Sequence, residues 1–258
     1  MISTMRENKG KKELFTFGSG ILLVILLVHL LGLIRGDRLI FPGVGEISRA
    51  FVRLLSTGNT YIQIGITLLH TVEAMILSLL TGVAVGYTEG LIPWVHSLLR
   101  PLMMILRSMP MIVLVITIMV LCPYAWVPVI AACAVLVPLI SEAVYEGCRR
   151  IEPEYLDVYR INSDVNARVL VHVYLPLTAG YLRQAFVNAA GMGLKVAVTA
   201  EYLVQTRNSL GKAIYTSSYF IEYSEIYAYA LIMVLLILIL TGIPETVMAM
   251  RRRLSPSS

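Results

Sequence analysis

From Met109 to Ile140 the chain carries no charged side chain. Such a stretch has no place on the surface of a water-soluble domain. At about 1.5 Å per helical residue it also exceeds one comfortable crossing of a hydrocarbon layer about 30 Å thick. Pro123 and Tyr124 break it, so it divides into two spans. Apolar runs recur on either side, and six spans follow, at about 18–34, 61–85, 102–121, 125–140, 178–203 and 226–248. Hydrophobic residues make up 57% of the 258 and charged residues only 14%, whereas soluble domains carry about a quarter charged. One aqueous core cannot hide that much apolar surface, but lipid can receive it. In lipid a helix satisfies its own backbone N–H and C=O groups. The expected fold class is therefore all-α: a polytopic membrane protein with one membrane domain over 18–248, an N-terminal segment 1–17 and a basic tail 249–258.

Six crossings put both termini on one side. With that side cytoplasmic, the inner segments hold Arg6, Lys9, Lys11, Lys12, Arg149, Arg150 and Arg251 to Arg253, and the outer ones hold fewer basic residues. This bias favours cytoplasmic termini and a cytoplasmic segment 142–176. The net charge of +5 does not point to nucleic acid, because the basic residues gather at the ends of apolar runs. The first run superficially resembles a secretory signal, but it is long, and Arg35, Asp37 and Arg38 follow it in place of a cleavage site. It is expected to remain as an anchor. Outside, Glu46, Ile47, Ala50, Phe51 and Leu54 recur at helical spacing after Pro42-Gly43, which predicts an amphipathic helix along the interface. A second such helix is expected at Ile221 to Tyr227.

Several function classes find little support. Cys122, Cys133 and Cys148 show neither metal spacing nor a paired framework. His29, His70, His96 and His172 are scattered, without the clustered side chains a membrane enzyme needs. No cofactor or metal site is expected. A secondary transporter or channel working without ATP would require an internal repeat or a polar pore sequence, and no convincing repeat is present. That remains the alternative reading.

The charged interruption 142–176 does not read as a slack loop. Pro153 suits a first helical turn, where its missing N–H costs nothing, and Glu152, Glu154 and Asp157 place negative charge near that helix start. Leu156 and Tyr159, with Tyr155, form an apolar face. Ser163 is a natural N-cap for a second helix, in which Val165, Val169 and Val173 share a face before Leu175-Pro176 ends it. Two short helices at a tight bend form a stiff lever for a soluble partner.

These residues resemble the permease subunits of type I ATP-binding-cassette importers, in particular the nitrate/sulfonate/taurine group. Those permeases carry E-A-A, three residues, G, nine residues, I-x-L-P. Here Asp157-Val158-Tyr159 takes the E-A-A place, Ser163 the glycine's, and Val173, Leu175 and Pro176 complete the spacing. Glu142-Ala143 with Gly147 is a tempting near match, but it lacks the following I-x-L-P at the required distance. Phe41-Pro42, Arg100-Pro101, Arg107-Ser108-Met109-Pro110, Gly193-Leu194, Ala200-Glu201 and Ser209-Leu210-Gly211 resemble further family stretches in the same order. The resemblance implies a type I importer permease fold of about six transmembrane helices. It also implies a bacterial inner-membrane location, a second permease copy in a homodimer, a cytoplasmic ATPase dimer and an external solute-binding protein. The chain holds no G-x-x-x-x-G-K-[ST] loop, so ATP and magnesium belong to the partner ATPase. Pro153, Leu156, Asp157, Tyr159, Ser163, Val173, Leu175 and Pro176 are then the residues that couple to it.

Polar residues within the spans are costly and face the bundle interior or a water-filled path. The candidates for path or gate are His70, Glu73, Arg107, Lys195 and Glu201. Glu201 suits a structural role near a helix end, and His70 a hydrogen bond between helices rather than a metal. Arg107 is an interface or gate residue. Lys195 either attracts an anionic solute or pairs with Glu73. Gly82 and Gly86 suit close helix contact.

Overall fold

The computed structural model describes residues 42–152 and 169–254, with the side chains of 243–254 excepted. The expected first span, and Pro153, Leu156, Asp157, Tyr159 and Ser163, lie outside the described residues. Among the described residues every regular element is helical. Three helices are long and apolar enough to cross a membrane, or four if one bent pair counts as a single span.

The chain divides into two compact units. In the first, comprising residues 1–56 and 217–231, helix α1 runs over Val44–Ser56. Gly43 and Glu46 start it reciprocally: the Glu46 N–H donates to the Gly43 carbonyl at 2.8 Å, and the Gly43 N–H donates to the Glu46 carboxylate at 3.1 Å. Ala50 and Leu54 are buried, as the amphipathic pattern requires, and Val44 and Val52 are exposed. Arg53 pairs with Glu225 at 2.6 Å, and Ser217 donates to the other carboxylate oxygen at 2.9 Å.

The second unit, residues 57–216 and 232–258, holds the bundle. Its first rod is α2, Gly58–Leu91. It packs on α5, Val127–Arg149, along a glycine stripe. A Cβ on Gly82 would stand 2.9 Å from Ile140 Cβ, one on Gly86 2.6 Å from the Ser141 carbonyl oxygen, and one on Gly90 2.7 Å from Cys148 Cβ. Glycines four apart therefore let one backbone touch the other, with Ile140, Val144 and Cys148 filling the seam.

Between these rods lie α3, Pro93–Ser108, and α4, Met111–Leu121, bent by 109° at Met109–Pro110. The expected single span over 102–121 is thus two helices. Pro110 lacks the N–H that would continue α3 and holds Met109 extended at φ −67°, ψ 128°. At Pro123 the chain turns through one 3₁₀ turn, Tyr124–Trp126, directly into α5. Helix α5 does not stop at Ile140 but continues to Arg149. Its last turns keep Ser141, Val144, Gly147 and Cys148 buried while Glu142 and Arg149 stay exposed. The first charges after the apolar run therefore mark a face rather than an end.

Chain description resumes at Val169. A π-turn over Leu170–Tyr174 leads without interruption into α6, Leu175–Val204. Pro176 was expected both to stop the preceding element and to start the next crossing. It does sit in the first turn of α6, but the preceding element is not stopped there, since the Leu175 N–H reaches back to the Leu170 carbonyl across the widened turn. Helix α6 ends on Gln205 in the left-handed region, φ 54°, with Thr206 N–H bonded to the Glu201 carbonyl at 3.1 Å.

Two elements remain: α7, Leu210–Tyr219, capped by Ser209, whose hydroxyl accepts the Lys212 N–H at 3.2 Å, and α8, Tyr223–Leu254. The short helix expected at Ile221 to Tyr227 is not a separate element. Ile221 adopts φ 61° at the end of α7, and Tyr223 to Tyr227 are already the first turns of α8.

Candidate functional site

Three placements matter for function: a buried polar pin, an exposed polar stripe and the segment ahead of α6. The pin is built on Glu201, 0% exposed in the last turn of α6. One carboxylate oxygen accepts the Thr67 hydroxyl at 2.8 Å and the Gly211 N–H at 3.2 Å, and the other meets His70 Nδ1 at 2.8 Å. Thr67 in turn accepts the Leu210 N–H at 3.0 Å. A buried carboxylate is tolerable only when its lone pairs are filled, and here three groups from two helices, α2 and α7, fill them. Gly211 must be glycine: a Cβ would lie 2.4 Å from Glu201 Cβ and 2.5 Å from the Val198 carbonyl oxygen. The start of α7 is thereby fastened to α2 and α6. Among the described residues no group of three or more His, Cys, Asp or Glu is arranged to hold a metal.

The other path candidates separate. Lys195 is exposed and Glu73 half-buried, and among the described residues no ion pair joins them. Lys195 instead shares a face of α6 with Gln184, Asn188 and Thr199, all exposed and spaced three to four residues, or two turns, apart. Gln184 donates to Asn188 at 3.2 Å. The sequence reading missed Gln184, Asn188 and Thr199; their helical phase with Lys195 was the available signal. Arg107 is exposed, pairs with Glu142 at 2.9 Å and donates to the Pro138 carbonyl, which ties α3 to α5 across the bend.

Of the described coupling candidates, Val173 is buried beside Tyr174, Tyr87 and Cys148, whereas Leu175 and Pro176 are exposed. Tyr87 and Thr178 exchange a hydrogen bond at 2.7 Å, and Tyr174 meets Tyr87 edge-on at 6.4 Å between ring centres. Whatever moves Val173 therefore pushes on α2 and α5 through a close-packed core.

Residues 74–250 match the family described as the binding-protein-dependent transport system inner membrane component. The chain belongs to this family. Its members are permeases of ATP-binding-cassette importers, whose ATPase is a separate subunit, so the chain is not itself an enzyme. Membership implies an ATPase partner and a binding protein. The fold is similar to that of a solved chain of the MetNI methionine ABC transporter in inward-facing conformations, with a TM-score of 0.59 at 17% identity. That likeness covers 76% of this chain and 95% of the other. Among curated proteins, none matches the chain in sequence.

Proposed function

We propose that this permease forms the path for a small solute, either an organic anion such as a sulfonate, or nitrate, or a vitamin precursor, handed over by an external binding protein. Two copies face each other with the stripe of Gln184, Asn188, Lys195 and Thr199 lining the passage. The observation that supports this is the stripe itself: a lysine with no ion pair among the described residues and three polar side chains lie exposed on one face of a helix otherwise packed in the bundle. Lipid is a poor neighbour for that face, and a water-filled passage between copies is a good one. Both termini and segment 142–176 face the cytoplasm, where the ATPase dimer grips the segment around Ser163 and drives the core through Val173. The chemistry of ATP and magnesium stays on that partner.

The test is reconstitution in vesicles with the ATPase and binding protein. Lys195→Met should raise the apparent KM for an anionic solute while basal ATP hydrolysis persists. Equal uptake by Lys195→Met and the parent would remove Lys195 from the path. Failure of any ATPase to co-purify would remove the coupling assignment.

A further inference from the structure

A second polar feature lies at the end of α5 that leads into the coupling segment. There α2, α3 and α5 enclose a cleft of about 410 Å³, lined among others by Glu89, His96, Arg100, Glu142, Tyr145 and Arg149. Its volume is in the lower part of the range of about 300–1,000 Å³ typical of small-molecule sites. Most of its charges are already matched. Arg107 pairs with Glu142 at 2.9 Å, Arg150 approaches Glu146 at 3.9 Å, and the Arg149 guanidinium lies 5.8 Å from the centre of the Tyr145 ring.

Of the lining charges, Glu89 and Arg100 have neither an ion pair nor an aromatic face among the described residues. Glu89 is 4% exposed and makes no hydrogen bond or ion pair among the described residues. Arg100, exposed on the cleft wall, makes no ion pair there either. Beside them His96 stacks flat on Tyr145, 4.0 Å between ring centres and 2° between planes, and its buried Nδ1 has no hydrogen-bond partner among the described residues. A carboxylate withdrawn from water without a donor is expensive, and so is an orphaned ring nitrogen. A metal ion does not answer the need, since no set of three or more candidate ligands converges among the described residues. An organic ammonium does, because it brings both positive charge and several N–H donors.

We propose that this cleft binds a small zwitterion, with its ammonium group against Glu89 and its acidic group against Arg100. Glu89 is the determinant of the amine, and Arg100 is the determinant of the acid. On the function proposed above, this end faces the cytoplasm, so occupancy reports the internal concentration of such a molecule and braces α3 against α5. Binding itself does not depend on that orientation.

The experiment uses the full chain in lipid nanodiscs, without ATPase or binding protein, and radiolabelled 4-aminobutyrate and 6-aminohexanoate as probes. Butyrate and butylamine serve as half-probes. At least one amino acid should bind about tenfold more tightly than either half-probe, a difference of about 1.4 kcal/mol. Glu89→Gln and Arg100→Gln should each abolish that advantage. Arg100 lies at the surface, so its variant reads the site even if the buried substitution disturbs folding. Saturable binding with the advantage lost in Arg100→Gln supports the site. No saturable binding by any probe, half-probes that bind as well as the amino acids, or an advantage that survives both substitutions overturns it. Neither result bears on whether an ATPase co-purifies, so the two proposals fail separately.

Discussion

Replacing Glu201 separates two roles that the buried pin combines, charge and acceptor. In Glu201→Ala, the Thr67 hydroxyl and the Gly211 N–H both lose their acceptor inside a site that is 0% exposed at Glu201. Each orphaned donor costs about 1–3 kcal/mol, so the expected loss is about 2–6 kcal/mol. That range is a large share of the roughly 5–15 kcal/mol that holds a typical domain together. Glu201→Gln differs because both donors use the same carboxylate oxygen, and His70 meets the other. The glutamine can keep its carbonyl oxygen toward Thr67 and Gly211 and turn its amide toward His70 Nδ1, which accepts when the ring is neutral. The glutamine variant should then lie within about 1 kcal/mol of the parent. Thr67→Val orphans the Leu210 N–H and also takes one donor from the buried Glu201 carboxylate, so it should cost at least about 1–3 kcal/mol, less than additively with Glu201→Ala because they share one network. Denaturant unfolding of the purified permease in detergent, followed by circular dichroism, measures all four. If Glu201→Gln falls as far as Glu201→Ala, the negative charge rather than the acceptor geometry holds the pin, and the reasoning fails.

Three further perturbations test other parts of the structure. Gly86→Ala puts a Cβ 2.6 Å from the Ser141 carbonyl oxygen and from Val144 Cβ. It should cost about 1–3 kcal/mol by overpacking, whereas Gly65→Ala, with nothing within 4 Å, should cost nothing or gain up to about 1 kcal/mol. The midpoints of detergent thermal unfolding rank the pair, and equal midpoints would contradict the glycine seam. At the turn before α8, the hydrogen bond and charge of Glu225 raise the Glu222 pKa above its ordinary 4.5. A raised acid pKa means the folded turn holds its proton more tightly, so this contribution is present at low pH and is lost as pH rises through the folded value. Hydrogen exchange around 217–225 should therefore slow on acidification, after correction for intrinsic exchange, and Glu222→Gln should flatten that response. Pro110→Ala restores an N–H at the bend between α3 and α4. Spin labels placed on exposed Leu102 and Ile116 should report a wider spread of separations if the proline fixes the 109° angle, and an unchanged distribution would assign the bend to packing instead.

What was legible in the sequence was whatever depends on one helix at a time. The glycines at Gly82 and Gly86 announced a close crossing, Pro123 announced a break, and the spacing of Ala50 and Leu54 announced the buried face of α1. What was hidden depends on a second helix. Charges at Glu142 and Glu146 read as the end of a span because the burial of Ser141, Val144 and Cys148 on the opposite face comes from α2 and α6, not from the local pattern. The 109° bend was hidden for a similar reason, since Pro110 can kink, start or end a helix, and only the pairing of Arg107 with α5 shows where α3 then goes.

The polar residues show the same division. Each was visible as costly, but its partner was not. Glu201 and Lys195 both looked like path candidates, six residues apart on one helix. That spacing places them on different faces: Glu201 turns inward to Thr67 and Gly211, while Lys195 turns outward with Asn188 and Thr199. One of the two is thereby spent on holding α7 in place, and the other has no ion-pair partner among the described residues. The exposed face, not the rarity of its lysine, is what supports the proposal that a second copy and a passing solute meet α6 on that side.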